Sequence, residues 1–467
     1  MNNKAMGNIN KVIMICVDTL RADALFNRED FYSKYNIKQK LNTPNLDWLV
    51  NNSTLLKNCI TTSPYTTASH ASYFTGYWPK HHSVMDFFKN KLSKPTIYNL
   101  LNKKGYKTFF CNDFPFILGD YLGFKEGVDH YYIENELECL KDFHNTHGDK
   151  FAFFHFADVH WPYGYHKFKS NDEFNSLENF LIEQSRITGV PLSKTIKPGP
   201  IEAIKKDEEL LLEQNYRMII DYYCNQKDYN TVMQWYADGI SRFDNSRFDE
   251  FIKSLKNCGL FDDPNTLIII FGDHGENWSD ESYGHFNSCD YGVINVPVLL
   301  HSKSIPRKII NELTRTIDIV PSIINFLNVD IKNDFDGVDL YSKAPDYSIT
   351  QSWVSDFKEL VGFFQETKKN NKFIDGKIKS FLLKEAVIKE NKKLEFKYTN
   401  LGEVEYSKSS IIKNGHEIQT NLNFQEELGE YLRLYNYDPV NTSDQNVKIE
   451  DKILNEFKNL GYYGGEQ

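Results

Sequence analysis

The stretch NTLIIIFGDHGENW, Asn265 to Trp278, decides how the chain folds. Its first half is an unbroken apolar run, Leu267 to Phe271, without the alternation of a strand that has one wet face. Such a run predicts a strand buried on both faces, as in a parallel sheet covered by helices. The second half changes character at once: Gly272 is followed by Asp273, His274, Gly275 and Glu276. In open α/β sheets, chemistry collects at the carboxyl ends of strands. Asp and His are ligands for divalent cations. Gly275 permits the turn that lets the adjacent Asp273 and His274 both reach one ion.

The same pattern recurs along the chain. KVIMICV (Lys11–Val17), YKTFFCN (Tyr106–Asn112), KFAFFHFA (Lys150–Ala157) and VPVLLHS (Val296–Ser302) are short apolar runs bounded by polar or turn residues. Helical spacing lies between them, as in TIYNLLNKKGY and SRFDEFIKSLKNCGL. The expected fold is therefore α/β, with a mainly parallel central sheet flanked by helices. Asp18 follows the first run, and Asp158 and His160 follow KFAFFHFA, so three strands deliver carboxylates and imidazoles to one rim. His155, inside its run, reads as a core histidine.

These boundaries divide the chain into a catalytic α/β part, 1–340, and a smaller C-terminal α+β part, 341–467. A charged, helical segment at about 167–234 interrupts the strand–helix alternation just after Asp158 and His160. It reads equally as a lid over the rim and as a surface elaboration. In the C-terminal part, KFIDGKIKSFLLKE, KKLEFKYTN and LRLYNYDP predict short antiparallel strands, accompanied by a helix.

The chain has 467 residues, 40% of them hydrophobic, enough for a large core. A net charge of −10 argues against a nucleic-acid partner. Seven scattered cysteines without a C-x-x-C pair argue for free thiols in a reducing compartment. The apolar stretch at Val12–Val17 is too short for a membrane span or a signal core, so a cytoplasmic protein is expected. Oligomeric state is not legible.

The segment SPYTTASHASYFTGYWP, Ser63 to Pro79, puts Thr66, Thr67, Ser69 and His70 where a helix begins. Thr66 falls at its N-cap or first position. A helix N-terminus favours negative charge, and a hydroxyl that also touches a divalent cation is activated as a nucleophile without a neighbouring base.

Taken together, VDTLRADAL, SPYTTASHASYFTGYWPKHH, HFADVHWPY, the stretch from Tyr236 through GDHGENW, and YGHFNSCDYGVINVPVLL resemble the sulfatase family of the alkaline-phosphatase superfamily. TIDIVPSIINFLNV, FDGVDL and YNYDP fit its later landmarks. The resemblance implies a metal-dependent hydrolase or transferase. Asp18, Thr66, Asp273 and His274 would hold a divalent ion (Mn, Zn, Ca or Mg), with Thr66 as nucleophile. Ser69 and His70 fall on the Ser and Arg of the family's C-x-P-S-R signature. His160 would protonate the leaving group, and His285 and His70 would hold the anionic group. Asp158, His160 and His285 are a candidate set for a second metal.

Three departures shape the expected chemistry. Thr66 stands where sulfatases mature a Cys or Ser to formylglycine, a conversion threonine cannot undergo. His70 replaces the signature arginine, and Thr19 replaces the second Asp of the N-terminal pair. The expected reaction is cleavage of a phosphate ester or diester, of a small molecule or a glycan, through a covalent Thr66 intermediate. Sulfate ester hydrolysis without formylglycine, phospho-group transfer to a surface glycan, and anion binding without catalysis are the alternatives. Arg21 and Asp23 are expected to lock the strand–helix turn, His81 and His82 to lie on a surface loop, Glu276 to back the metal site or start a helix, and Cys289 to have no thiol chemistry.

Overall fold

The computed structural model describes residues 8–85, 91–115, 117–166, 171–193, 201–285, 287–332, 334–342, 344–355, 380–399, 402–413 and 415–437. In chain order the strands are β1 (Lys11–Val17), β2 (Thr54–Ile60), β3 (Lys107–Asn112), β4 (His130–Ile133), β5 (Lys150–Phe156), β6 (Thr266–Phe271), β7 (Trp278–Ser279), β8 (Ser282–Tyr283), β9 (Asn295–His301), β10 (Ile309–Ile310), β11 (Thr314–Arg315), β12 (Ser348–Ser355), β13 (Ser380–Lys389), β14 (Lys392–Tyr398), β15 (Val404–Lys413) and β16 (His416–Gln419).

The central sheet runs β10-β2-β9-β6-β1-β5-β3-β4, with β11 also alongside β2. β1 is parallel to both β5 and β6, and β3 to both β4 and β5. β9 runs antiparallel to β2 and β6, so the sheet is mixed but mostly parallel. All five apolar runs are strands in it. β2 was not anticipated, because Lys57 and Asn58 break its apolar run.

Alternation divides the buried residues between two faces. Ile13, Ile15 and Val17 join one core, with Phe243, Phe248 and Phe251 from the helices Tyr229–Asn245 and Arg247–Asn257. Val12, Met14 and Cys16 join the other, with Tyr73 and Phe74 from the helix Thr66–Thr75 and Val320 and Ile323 from Ile319–Phe326. Each buried aliphatic side chain contributes about 1.5–3 kcal/mol of transfer free energy, and this burial holds the rim residues of β1, β5 and β6 level.

The segment at 167–234 forms the helices Asn171–Thr188 and Ile201–Asn225, with residues 167–170 and 194–200 outside those described. Leu177, Leu181, Tyr216, Ile219 and Ile220 share a core with Phe156, Tyr163 and Trp278. These helices therefore share the core beneath the central sheet and are more than a surface elaboration.

β12-β13-β14-β15-β16 form a separate antiparallel sheet. Most of LRLYNYDP is helical rather than a strand, within Gln425–Tyr437; Asp438 and Pro439 lie outside the described residues. Leu428, Leu432 and Tyr435 recur at helical spacing and bury against Ile349, Val387 and Leu394. Reading the segment from Leu432 onward hides that period. Residues 372–379 of KFIDGKIKSFLLKE lie outside the described residues, and the rest is β13. Among the described residues, no helix is long and apolar enough to cross a membrane.

Candidate active site

The rim assembles as the strand ends predict. Asp18 follows β1, Asp273 and His274 follow β6, and all three are fully buried. One ligand atom from each lies within 4.8 Å of the others. His274 Nε2 is 3.7 Å from Asp18 Oδ1 and 3.3 Å from Asp273 Oδ2. The backbone sets this geometry. Thr19 takes φ of 60°, a left-handed conformation that a β-branched residue adopts only under strain. From there its amide donates to Asp273 Oδ1 at 3.1 Å, and the His274 amide donates to the same oxygen at 2.9 Å. Tyr236 reinforces the turn by donating to the Thr19 carbonyl at 2.8 Å.

With Oδ1 so occupied, Asp273 Oδ2 faces the cluster without a hydrogen bond, as does Asp18 Oδ1. Burial and the Asp18 charge push the Asp273 carboxyl up to about 7, and burial raises Asp18 as well. Two buried carboxylates aimed at one point without donors are unfavourable in themselves and fit a cation. His274 fits too. Its Nδ1 donates to the Gly275 carbonyl at 3.1 Å, which leaves Nε2 with a free lone pair. Burial and His285 hold this imidazole down at about 4, so it is neutral near pH 7.

Thr66 is the first residue of the helix Thr66–Thr75, after an extended Tyr65. Its Oγ1 donates to Asp18 Oδ2 at 3.4 Å and lies 3.2 Å from His274 Nε2. The neighbouring hydroxyls have other duties: Thr67 donates to the Ile117 carbonyl, and Ser69 donates to the Asp273 carbonyl at 2.8 Å. Ser69 thus ties the helix to the end of β6, while Thr66 alone reaches the cation cluster.

His160 and His285 sit together above this cluster, with ring centroids 5.2 Å apart, and His285 lies 4.3 Å from His274. His285 Nδ1 is 3.3 Å from Glu276 Oε1, so Glu276 backs the site. Burial pushes the Glu276 carboxyl up to about 7 and lowers His285 to about 3. His160 Nδ1 donates to the Trp161 carbonyl at 2.9 Å, and burial lowers its pKa. Half-buried His160 and Trp161 lie at the site's opening to solvent.

Three expectations change. Asp158 does not join His160 and His285: it ion-pairs with Arg247 at 2.8 Å and clusters with Asp113 and His166. Arg247 also binds Asp113 and Glu136, so Asp158 is spent on a buried charge knot. His70 lies beneath Thr66, away from solvent and from any bound anion. It is fully buried among Phe74, Phe153 and Phe271, and its Nδ1 donates to the Thr66 carbonyl at 2.8 Å. His82 is buried against Ser72 and His81 pairs with Asp336, so neither lies on a free surface loop. Arg21 does lock the turn, pairing with Asp23 at 2.6 Å and donating to the Glu276 carbonyl.

His155 is a core histidine, as its run implies, but its polar atoms are unmet. It is buried, neither ring nitrogen makes a hydrogen bond, and Nε2 lies 3.4 Å from Asp18 Oδ2. A histidine within an apolar run gives no local sign of this; the signal is its register opposite Cys16.

Comparison with known proteins agrees with this architecture. The sulfatase family model matches residues 10–329. An arylsulfatase of Clostridium perfringens is 24% identical over 382 residues, covering 70% of this chain and 77% of its own. A structure solved in complex with its substrate D-glucosamine-2-N,6-O-disulfate superposes with a TM-score of 0.62 at 13% identity, covering 94% of this chain and 100% of that one. The phosphonate monoester hydrolase of Silicibacter pomeroyi gives 0.55 at 14% identity, over 94% and 97% of the two chains.

Proposed function

The chain belongs to the sulfatase family, an ester hydrolase or transferase of the alkaline-phosphatase superfamily, and from that premise we propose that it cleaves a phosphate ester or diester through Thr66. One observation carries the reading. An unmodifiable threonine occupies the head of the helix, its Oγ1 against Asp18 and His274. A residue that cannot become formylglycine must attack with its own hydroxyl oxygen, and such an alkoxide suits in-line phosphoryl transfer.

Asp18, Asp273, His274 and Thr66 are the residues that would hold a divalent cation, Mn, Zn, Ca or Mg. Such an ion, when bound, neutralises charge on the transferred group and lowers the pKa of the hydroxyl. The chain supplies the rest. Thr66 Oγ1 forms the new bond to phosphorus as its proton passes to Asp18 Oδ2. The first turn of its helix faces the developing negative charge. The leaving oxygen departs toward His160 and takes a proton from Nε2, which must be loaded first because Nδ1 is committed to Trp161. His285, held by Glu276, would contact a non-bridging oxygen. His70 acts through the Thr66 backbone rather than on substrate. Water or an acceptor alcohol then resolves phospho-Thr66.

The test pairs wild type with Thr66→Ala against p-nitrophenyl phosphate, bis-p-nitrophenyl phosphate, a phenylphosphonate monoester and p-nitrophenyl sulfate, each with the four ions. Phospho-substrates should turn over, and Thr66→Ala should reduce the rate by about 10⁴-fold or more, with loss of a phosphothreonine trapped at that position. Turnover of the sulfate alone would move the assignment to sulfate esters, the class named for the Clostridium perfringens relative.

A further inference from the structure

A second layer of donors lies under the first. In the parallel register Cys16 of β1 stands opposite His155 of β5 and Phe271 of β6. Residues two apart on a strand share a face, so Cys16 lies one pleat below Asp18, and His155 stands beside it. The helix Thr66–Thr75 covers this face. His70 follows Thr66 by one turn and therefore sits above the Cys16–His155 row as Thr66 sits above the carboxylates.

Cys16, His70, His155 and Asp273 each offer one ligand atom, and these atoms lie within 4.8 Å of one another. All four residues are at most 1% exposed. His70 Nε2, both nitrogens of His155 and Asp273 Oδ2 make no hydrogen bond. Buried polar atoms left this way are costly and uncommon in native proteins, and their gathering, with one ligand atom from each residue, indicates a missing partner. Cys16 is a free thiol. Because the His70 Nδ1–H is committed to the Thr66 carbonyl, its lone pair is on Nε2, the arrangement of a backbone-oriented imidazole ligand.

We propose that Cys16, His70, His155 and Asp273 form a second, buried cation site of the zinc class, sharing Asp273 with the hard-ligand site above it. One thiolate, two imidazoles and one carboxylate make a closed set of four, each a donor type that zinc takes. On binding, the Cys16 thiol releases its proton to solvent and a sulfur–metal bond forms; nothing is oxidised or reduced. The ion would fix His70, and through it the carbonyl of Thr66, from below. The site above offers oxygen from Asp18, Asp273 and Thr66 and nitrogen from His274 but no sulfur, so only the lower site would hold its ion through a thiolate.

The full chain, purified without chelator and then dialysed against a weak one, should retain about one equivalent of zinc by mass spectrometry. Its cobalt(II) form should show thiolate-to-cobalt charge-transfer absorption in the near ultraviolet. Cys16→Ala and His155→Phe should each lower retained zinc about tenfold or more, and Cys16→Ala should abolish the band. Thr66→Ala should keep both, which separates this site from the nucleophile's. A folded wild type that takes up no zinc, or a band that persists in Cys16→Ala, overturns the proposal. Should the variants misfold, X-ray absorption at the zinc edge of wild type decides. One sulfur among nitrogen and oxygen neighbours supports the site; no sulfur, or two or more, refutes it.

Discussion

Asp18 and Asp273 oppose one another across a gap that only charge of the other sign relieves. Burial and mutual repulsion push Asp273 up to about 7. A carboxyl raised in the folded state costs nothing below its unfolded pKa, near 4, and costs progressively more as pH climbs through its folded value. In the metal-free protein, Asp18→Asn should therefore be neutral near pH 4 and more stable than wild type by about 2 kcal/mol above pH 7. Urea unfolding at the two pH values measures this. The same variant should lose the rise in melting temperature that manganese gives wild type. Asp18, Asp273 and His274 were legible as candidates because they stand at the edges of apolar runs, where polarity changes abruptly, and Thr66 because it stands where a helix begins. The surroundings of His155 were not, since they come from strand register and from a helix distant in sequence.

Among elements, the helix Arg247–Asn257 carries more than its apolar face. Its first residue holds Asp113 at 2.6 Å, Glu136 at 2.8 Å and Asp158 at 2.8 Å. Burial alone would raise the Asp113 carboxyl; Arg247, with His166, overrides it and holds the group well below its usual range. Arg247→Met keeps most of the volume and strands three buried carboxylates, so it should destabilise by about 3–5 kcal/mol near neutral pH. The loss should shrink as pH falls. Wild type keeps Asp113 ionised through this range and changes little, while the variant gains by protonating carboxylates whose pKa its mutation has raised. Thermal melts from pH 7 to about 5 follow both trends. The strands on either side of this helix were readable from apolar runs alone. β2 was not, because its two polar residues hide the run, nor was the helix Gln425–Tyr437, whose period begins upstream of the segment that drew attention.

At the scale of the whole chain, the second sheet is tied to the first. The Gln351 amide donates to the Thr62 carbonyl at 2.9 Å and Thr350 donates to that of Thr61 at 2.6 Å, both just ahead of the helix Thr66–Thr75. Trp78 and Ile317 from the catalytic part share a core with Ile349, Val387, Leu394 and Leu428. A chain ended at residue 340 should expose this surface and fail to accumulate as folded protein. The full chain should unfold in one transition by both fluorescence and circular dichroism; two transitions would show that the parts fold separately. Composition suggested a change of character near residue 340, but not this attachment, which depends on contacts between residues hundreds of positions apart. The alternation along β1 reaches further, into biosynthesis. Cys16 and Asp18 face the helix, while Ile15 and Val17 face the opposite core. A slip of one residue against β5 or β6 would turn every donor away and present two aliphatics in their place. Capture of an ion at the proposed sites would thus read out strand alignment on nascent chains: only a molecule whose three central strands have locked in register could hold metal, and the ion would then oppose slippage.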